Sequence, residues 1–303
     1  MSDDVVGQAP REGKATARGA RYAEVYAIAI AEMIAMAPRR TGLAQRAIEA
    51  SLRVPAVMLA RSLTALDHDL ARRSLADSAR RRLDHYGATL AIDPRSAAIP
   101  GAGPLLVVSN HPGLFDALAL FATFSSTGRD DLSILAARRP LLTALPNLSR
   151  RLLSIDPGAS GSVALKRAVR HLRGGGALLH FPAGQIEPDP RVAPGDRALL
   201  LPWKPGLDTL LGAAARGRDD VRVVVAAVSG VVSRRALALA TLASRGADQL
   251  TDAFVPLLQL TVPGFADAQI VVRFGVARPA VAGAAESLRA ELVALTEAAR
   301  PRR

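Results

Sequence analysis

Histidine and aspartate stand five residues apart in Asn110-His111-Pro112-Gly113-Leu114-Phe115-Asp116, and this pair is the most chemically suggestive feature of the chain. Imidazole is the side chain whose ordinary pKa suits a base near neutrality, so it can take the proton of a hydroxyl as that hydroxyl attacks a thioester carbonyl. A carboxylate bonded to the other ring nitrogen fixes the tautomer and stabilises the imidazolium that forms. In such a scheme the substrate supplies the hydroxyl, and no serine nucleophile is needed. So short a pattern also arises where Asp merely caps a helix and His packs in a turn, so the surrounding elements have to decide.

The run Leu105-Leu106-Val107-Val108-Ser109 predicts a buried strand, 110–113 the turn after it, and 115–124 a helix whose first turn holds Asp116. His111 and Asp116 then sit at the carboxyl edge of a strand, where ligands bind in open α/β sheets, and the positive end of the helix favours the carboxylate. Further strands are expected over 132–136, 152–155, 177–181, 221–228 and 270–274, with helices over 162–173, 205–216, 236–249 and 286–299 between and after them. This alternation predicts an α/β fold, a mixed β-sheet flanked by helices, over 94–279, followed by a C-terminal helix within 280–303. Residues 1–20 mix Gly, Arg, Asp and Pro without periodicity and read as a mobile tail. From 21 to 93 the pattern is helical, with Leu59, Leu63, Leu66 and Leu70 on one helix face and Pro38 and Pro55 as natural breaks between two to four helices.

Bulk properties narrow the function classes. Of 303 residues, 50% are apolar and 22% charged, a balance that folds into one substantial core. There is no cysteine, which excludes thiolate nucleophiles, disulfides and Cys-ligated metal centres. A net charge of +12 draws the protein to polyanions: anionic lipid, coenzyme A phosphates, an acidic carrier protein or nucleic acid. With three Tyr, one Trp and seven Phe to stack bases, and no recognition-helix motif, nucleic acid is not expected as a partner. The apolar run Val25-Tyr26-Ala27-Ile28-Ala29-Ile30-Ala31 is bracketed by Glu24 and Glu32, too short for a bilayer core that needs about 20 apolar residues. The Met1-Ser2-Asp3-Asp4 start lacks the basic and apolar regions of a secretory signal, so a cytoplasmic location is expected.

Four blocks, in order, resemble the glycerophospholipid acyltransferase family, whose best-known members are the 1-acylglycerol-3-phosphate acyltransferases. They are Asn110, His111 and Asp116 of an Asn-His-x-x-x-x-Asp pattern; Phe181-Pro182-Ala183-Gly184 after a helix, a turn and a strand; Lys204-Pro205-Gly206; and the strand over 221–228. The resemblance implies acyl transfer from acyl-CoA or acyl-carrier protein to a hydroxyl of a lysophospholipid or related lipid, with His111 as base and Asp116 as its orienting partner. It further implies that Asn110, Phe181, Pro182 and Gly184 lie at the substrate, Gly184 keeping its turn thin. No permanently bound cofactor and no metal are expected. An anionic membrane surface is the expected partner, with the protein peripheral on the inner face.

Two departures bear on the acceptor. The family often has Phe-Pro-Glu-Gly-Thr-Arg in the second block, where this chain has Ala183 and Ile186 in place of the Glu and Arg, and it often has an Arg where Pro157 follows Ile155-Asp156. Either the acceptor lacks a glycerol phosphate, or other cations replace those contacts. Arg138 and Arg139 are the substitutes assigned to substrate binding, with Arg150, Arg151 and Arg191 also available and ordinary solvated charge as the alternative for each. The Phe-Pro-Ala-Gly form is similar to the branch containing lyso-ornithine-lipid acyltransferases and hemolysin-annotated relatives. Gly174-Gly175-Gly176 lies between a helix and a strand, the reverse of a phosphate loop, and reads as a helix cap. His68, His85, His171 and His180 lack metal-site spacing, and Trp203 beside Lys204 reads as packing. Alternatives to acyl transfer are a non-catalytic lipid- or membrane-binding relative and a thioester hydrolase of the same fold.

Overall fold

Five consecutive apolar or small residues can all be buried only if both faces of their strand are covered. Leu105–Ser109 meets that condition: Leu105 and Val107 enter one hydrophobic cluster, Leu106 and Val108 another on the opposite face. The structure is a computed structural model that describes residues 9–37, 41–113, 115–156, 161–243, 255–256, 258–261, 264–265 and 267–301.

Among the described residues, eight strands form one sheet: β1 (Thr89–Ile92), β2 (Leu105–Ser109), β3 (Leu132–Ala137), β4 (Leu152–Ile155), β5 (Ala177–His180), β6 (Arg222–Ser229), β7 (Gln269–Phe274) and β8 (Arg278–Pro279). Their order is β1-β7-β6-β2-β5-β3-β4, with β8 paired to β6. The five strands from β6 to β4 are parallel, while β7 and β8 run antiparallel to β6 and β1 runs with β7. This is the mixed sheet flanked by helices that the alternating pattern predicts. β2 lies at its centre, so the turn that carries His111 leaves the best-buried strand in the fold.

Helices α1 (Ala9–Met36), α2 (Gly42–Leu70) and α3 (Leu75–His85) precede the sheet. Further helices are α4 (Asp116–Thr123), α5 (Pro140–Thr143), α6 (Pro146–Ser149), α7 (Ser162–Arg173), α8 (Leu207–Ala215), α9 (Arg234–Ala243) and α10 (Ala285–Glu297). Leu75, Ala79 and Leu83 of α3 and Ala119 and Leu120 of α4 cover one sheet face. Ala168 and Leu172 of α7, Leu207, Leu210 and Leu211 of α8, and Leu288 and Leu292 of α10 cover the other.

The structure changes three boundaries. β1 lies before residue 94 and joins the sheet at its edge, so the α/β unit takes in part of the region read as helical; four residues with three exposed give little periodic signal. α1 starts at Ala9 and so covers much of the segment read as a tail. Pro55 lies inside α2 rather than ending it. A helix-interior proline costs about 3 kcal/mol, and here burial of Leu52 and Ala56 against Ala29 and Met33 of α1 offsets the loss. Pro38, Pro157 and the expected helix beyond Ala243 lie outside the described residues.

Asp67 fastens the helical hairpin to the sheet domain. Its buried carboxylate accepts the backbone N–H groups of Asn147 (2.8 Å) and Leu148 (2.9 Å) at the start of α6, and its own carbonyl accepts from the Asn147 amide. Replacing Asp67 by Ala leaves those donors buried and unpaired, which costs about 1–3 kcal/mol. A urea titration is expected to show Asp67→Ala unfolding at a lower midpoint, with Asp67→Asn closer to wild type.

Candidate active site

At the end of β2 the chain turns from a buried strand into α4 within six residues. Gly113 makes the turn possible: at φ +144° it adopts a backbone conformation that L side chains rarely reach, and its N–H meets Asp116 Oδ2 at 3.0 Å. Ala117 N–H donates to Asp116 Oδ1 at 2.5 Å. The third partner is His111, whose Nδ1 lies 2.6 Å from Asp116 Oδ2. The carboxylate therefore binds a first-turn N–H of α4 and holds the imidazole at once.

The two side chains differ sharply in exposure, 29% for His111 and 1% for Asp116. A buried carboxylate that accepts two backbone N–H groups takes its third hydrogen bond from Nδ1–H, which leaves Nε2 as the basic nitrogen of neutral His111. Burial opposes the imidazolium, but the charge and hydrogen bond of Asp116, reinforced by the charge of Glu187, outweigh it, and the His111 pKa is raised. Phe181 stacks on the ring at a centroid distance of 4.5 Å and 22° between planes, restricting imidazole rotation.

Two carboxylates absent from the sequence-derived site hold the surrounding loops. Glu187 Oε2 accepts His111 N–H at 2.9 Å and Oε1 accepts Leu201 N–H at 2.9 Å, while Glu187 N–H donates back to the His111 carbonyl at 2.8 Å. Asp189 accepts the N–H groups of Gly230 (2.8 Å), Val232 (2.9 Å) and Arg191 (3.0 Å). Burial raises the pKa of both acids against these hydrogen bonds. The available signal was Glu187-Pro188-Asp189-Pro190, two carboxylates braced by prolines in the loop after the second block.

The other expected residues make contacts within the protein. Asn110, expected at the substrate, is buried and clamps β2 to β6: its amide donates to the Val228 carbonyl (2.9 Å) and its oxygen accepts Val228 N–H (2.8 Å). Phe181 supports the base, and Pro182 accepts Lys204 N–H at 2.9 Å. The space over Gly184, at φ +63°, is taken by Lys204, whose Nζ would lie 2.8 Å from a Cβ there. Arg138 and Arg139 follow β3, two strands from β2; Arg138 pairs with Asp156 at 3.1 Å, and neither bonds to His111 or Asp116. His180 is held neutral by burial, its pKa lowered to about 4. His171 bonds to the Ala177 carbonyl across the Gly174-Gly175-Gly176 turn, and Trp203 packs against the second sheet face.

No protein-family model matches the chain, and no curated protein does. Among solved structures it is similar to the 1-acyl-sn-glycerophosphate acyltransferase of Thermotoga maritima, at 15% sequence identity, with 94% of this chain and 100% of that chain covered and a TM-score of 0.48.

Removing the Asp116 charge leaves burial opposed only by the charge of Glu187, so the His111 pKa should fall. Titration of the His111 ring protons by NMR is expected to give a midpoint above the ordinary histidine value in wild type and a lower midpoint in Asp116→Asn. In stability terms the raised pKa contributes fully below the unfolded-state value and is lost as pH rises through the folded-state value.

Proposed function

We propose that this protein is an O-acyltransferase that moves a fatty acyl group from acyl-CoA or acyl-carrier protein to a hydroxyl of a lysophospholipid or related lipid. The observation that carries the reading is the 2.6 Å contact of His111 Nδ1 with buried Asp116, which leaves Nε2 with no hydrogen-bond partner among the described residues. A hydrolase triad would set a serine hydroxyl against that nitrogen. Here the nearby Ser109 hydroxyl instead bonds to the carbonyls of Ala226 and Asn110. The nucleophilic hydroxyl then comes from the substrate.

The steps follow. Nε2 takes the acceptor's hydroxyl proton as the oxygen attacks the thioester carbonyl; the resulting imidazolium is stabilised by Asp116. Collapse of the tetrahedral intermediate breaks the carbon–sulfur bond, and the proton on Nε2 passes to the leaving thiolate. Convergence of the four blocks that resemble the family supports the same reading: His111 meets Phe181, Gly184 meets Lys204, and Asn110 meets Val228. Among the described residues no helix is long and apolar enough to cross a membrane. The +12 charge and the exposed Leu43 and Val54 of α2 favour peripheral work on an anionic lipid surface, on the inner face of the membrane.

Acyl-CoA offered with a panel of lysolipids is expected to give lysolipid-dependent release of free thiol in wild type. His111→Ala should lose at least a hundredfold, within the range of a general base. Equal turnover by the two proteins rules out the mechanism, and thiol release at the same rate without lysolipid identifies a hydrolase.

A further inference from the structure

Beside the His111 turn lies a basic cavity that the acyl-transfer chemistry does not use. It has a volume of about 350 Å³ and is lined by Arg191, Gly230, Ser233, Arg234, Arg235 and Asp267 among others. Three guanidiniums face one carboxylate. Arg235 lies 3.6 Å from Asp267, which also accepts the Ser233 hydroxyl at 2.9 Å. Arg191 donates one nitrogen to the Gln269 carbonyl at 2.9 Å, and Arg234 has no hydrogen bond or ion pair among the described residues. Among the described lining residues this leaves a surplus of two positive charges. Ser233 caps the ten-residue α9, accepting Ala236 N–H at 3.3 Å, so the positive end of that helix adds to the field.

The position ties the cavity to the site. β6 is the immediate parallel neighbour of β2, and adjacent strands lie about 4.8 Å apart. The segment leaving β6 passes the His111 turn closely enough that a Cβ on Gly113 would sit 3.7 Å from Val231 Cγ2. Asp189 fixes that segment through Gly230 and Val232 and also orients the Arg191 backbone. Meanwhile Ile186 is exposed where the second block often carries an arginine, and Arg138 is engaged with Asp156.

We propose that Arg191, Arg234 and Arg235 form an oxyanion pocket that binds a phosphate group of a substrate. Planar guanidiniums offer paired N–H donors to phosphate oxygens, and charge-assisted bonds of this kind are the strongest available to the site. That the phosphate belongs to a substrate rests on the acyl-transfer reading; the binding chemistry does not. The phosphate comes from the acceptor headgroup or from the nucleotide of the acyl donor, and the test separates these sources.

The full chain is titrated calorimetrically at low salt with two soluble probes, sn-glycerol 3-phosphate for the acceptor and 3′-phosphoadenosine 5′-phosphate for the donor. Arg191→Gln/Arg234→Gln is expected to bind one probe at least tenfold more weakly, while Arg46→Gln/Arg61→Gln, which removes two exposed charges on α2, binds as wild type does. Weakening of the glycerol phosphate alone assigns the pocket to the acceptor, and weakening of the nucleotide alone to the donor. If the double variant fails to fold by circular dichroism, Arg234→Gln alone, at an exposed side chain, is read instead. Wild type that binds neither probe, unchanged binding in the pocket variants, or equal weakening in the α2 control overturns the proposal. Probe binding that depends on the pocket without His111-dependent turnover supports the pocket and removes the acyl-transfer reading. His111-dependent turnover with probe binding untouched removes the pocket alone.

Discussion

A chain leaving a buried parallel strand carries backbone N–H and C=O groups that have lost their ladder partners, and each one left unpaired costs about 1–3 kcal/mol. At the carboxyl edge of this sheet, polar side chains fill that role. Asn110 pairs with both backbone groups of Val228 and so locks the ends of β2 and β6 together. Glu187 joins the His111 turn to Leu201, and Asp189 joins the loop after β5 to the segment after β6. Asp116 closes the set by accepting from Gly113, Ala117 and His111. These buried groups determine where the imidazole stands, and all else at the site depends on them.

The chemistry follows from how the dyad is divided between interior and solvent. Asp116 is sealed and satisfied, so its charge acts on His111 through little intervening water, while the imidazole keeps a partly exposed face. Glu187 adds a second negative charge near His111, and Phe181 limits the rotation of the ring. A base held in this way is fixed in tautomer and plane before substrate arrives.

Much of this was legible in the sequence where burial leaves an unambiguous mark. β2 and β6 are continuous apolar runs because both faces are covered, and α7 matches its expected limits, Ser162–Arg173, because its periodicity is strong and Gly174 ends it. β1 was not legible, since a four-residue edge strand with exposed positions carries no alternation. Pro55 misled because tertiary packing, here Leu52 and Ala56 against α1, overrides a local breaking tendency that is decisive only in isolation. At the site, the pair His111 and Asp116 was visible through its place in an ordered series of blocks, whereas Glu187 and Asp189 sit in an aperiodic loop. Which loop carboxylate folds inward depends on backbone donors supplied by residues 201 and 230, and spacing along the chain does not record them. Asn110 was visible through its motif, but its bridge between the ends of two strands was not, because pairing across the sheet leaves no mark in spacing along the chain.

The central claim is that neutral His111, held through Nδ1 by Asp116, is the base. Its most direct test is the pH dependence of kcat/KM for acyl transfer in the wild-type enzyme. The rate is predicted to rise with pH through a single ionisation whose midpoint equals the raised pKa of His111, above the ordinary histidine value. A profile that stays flat through that range, or that turns over at a different pKa from the one His111 shows, would contradict it.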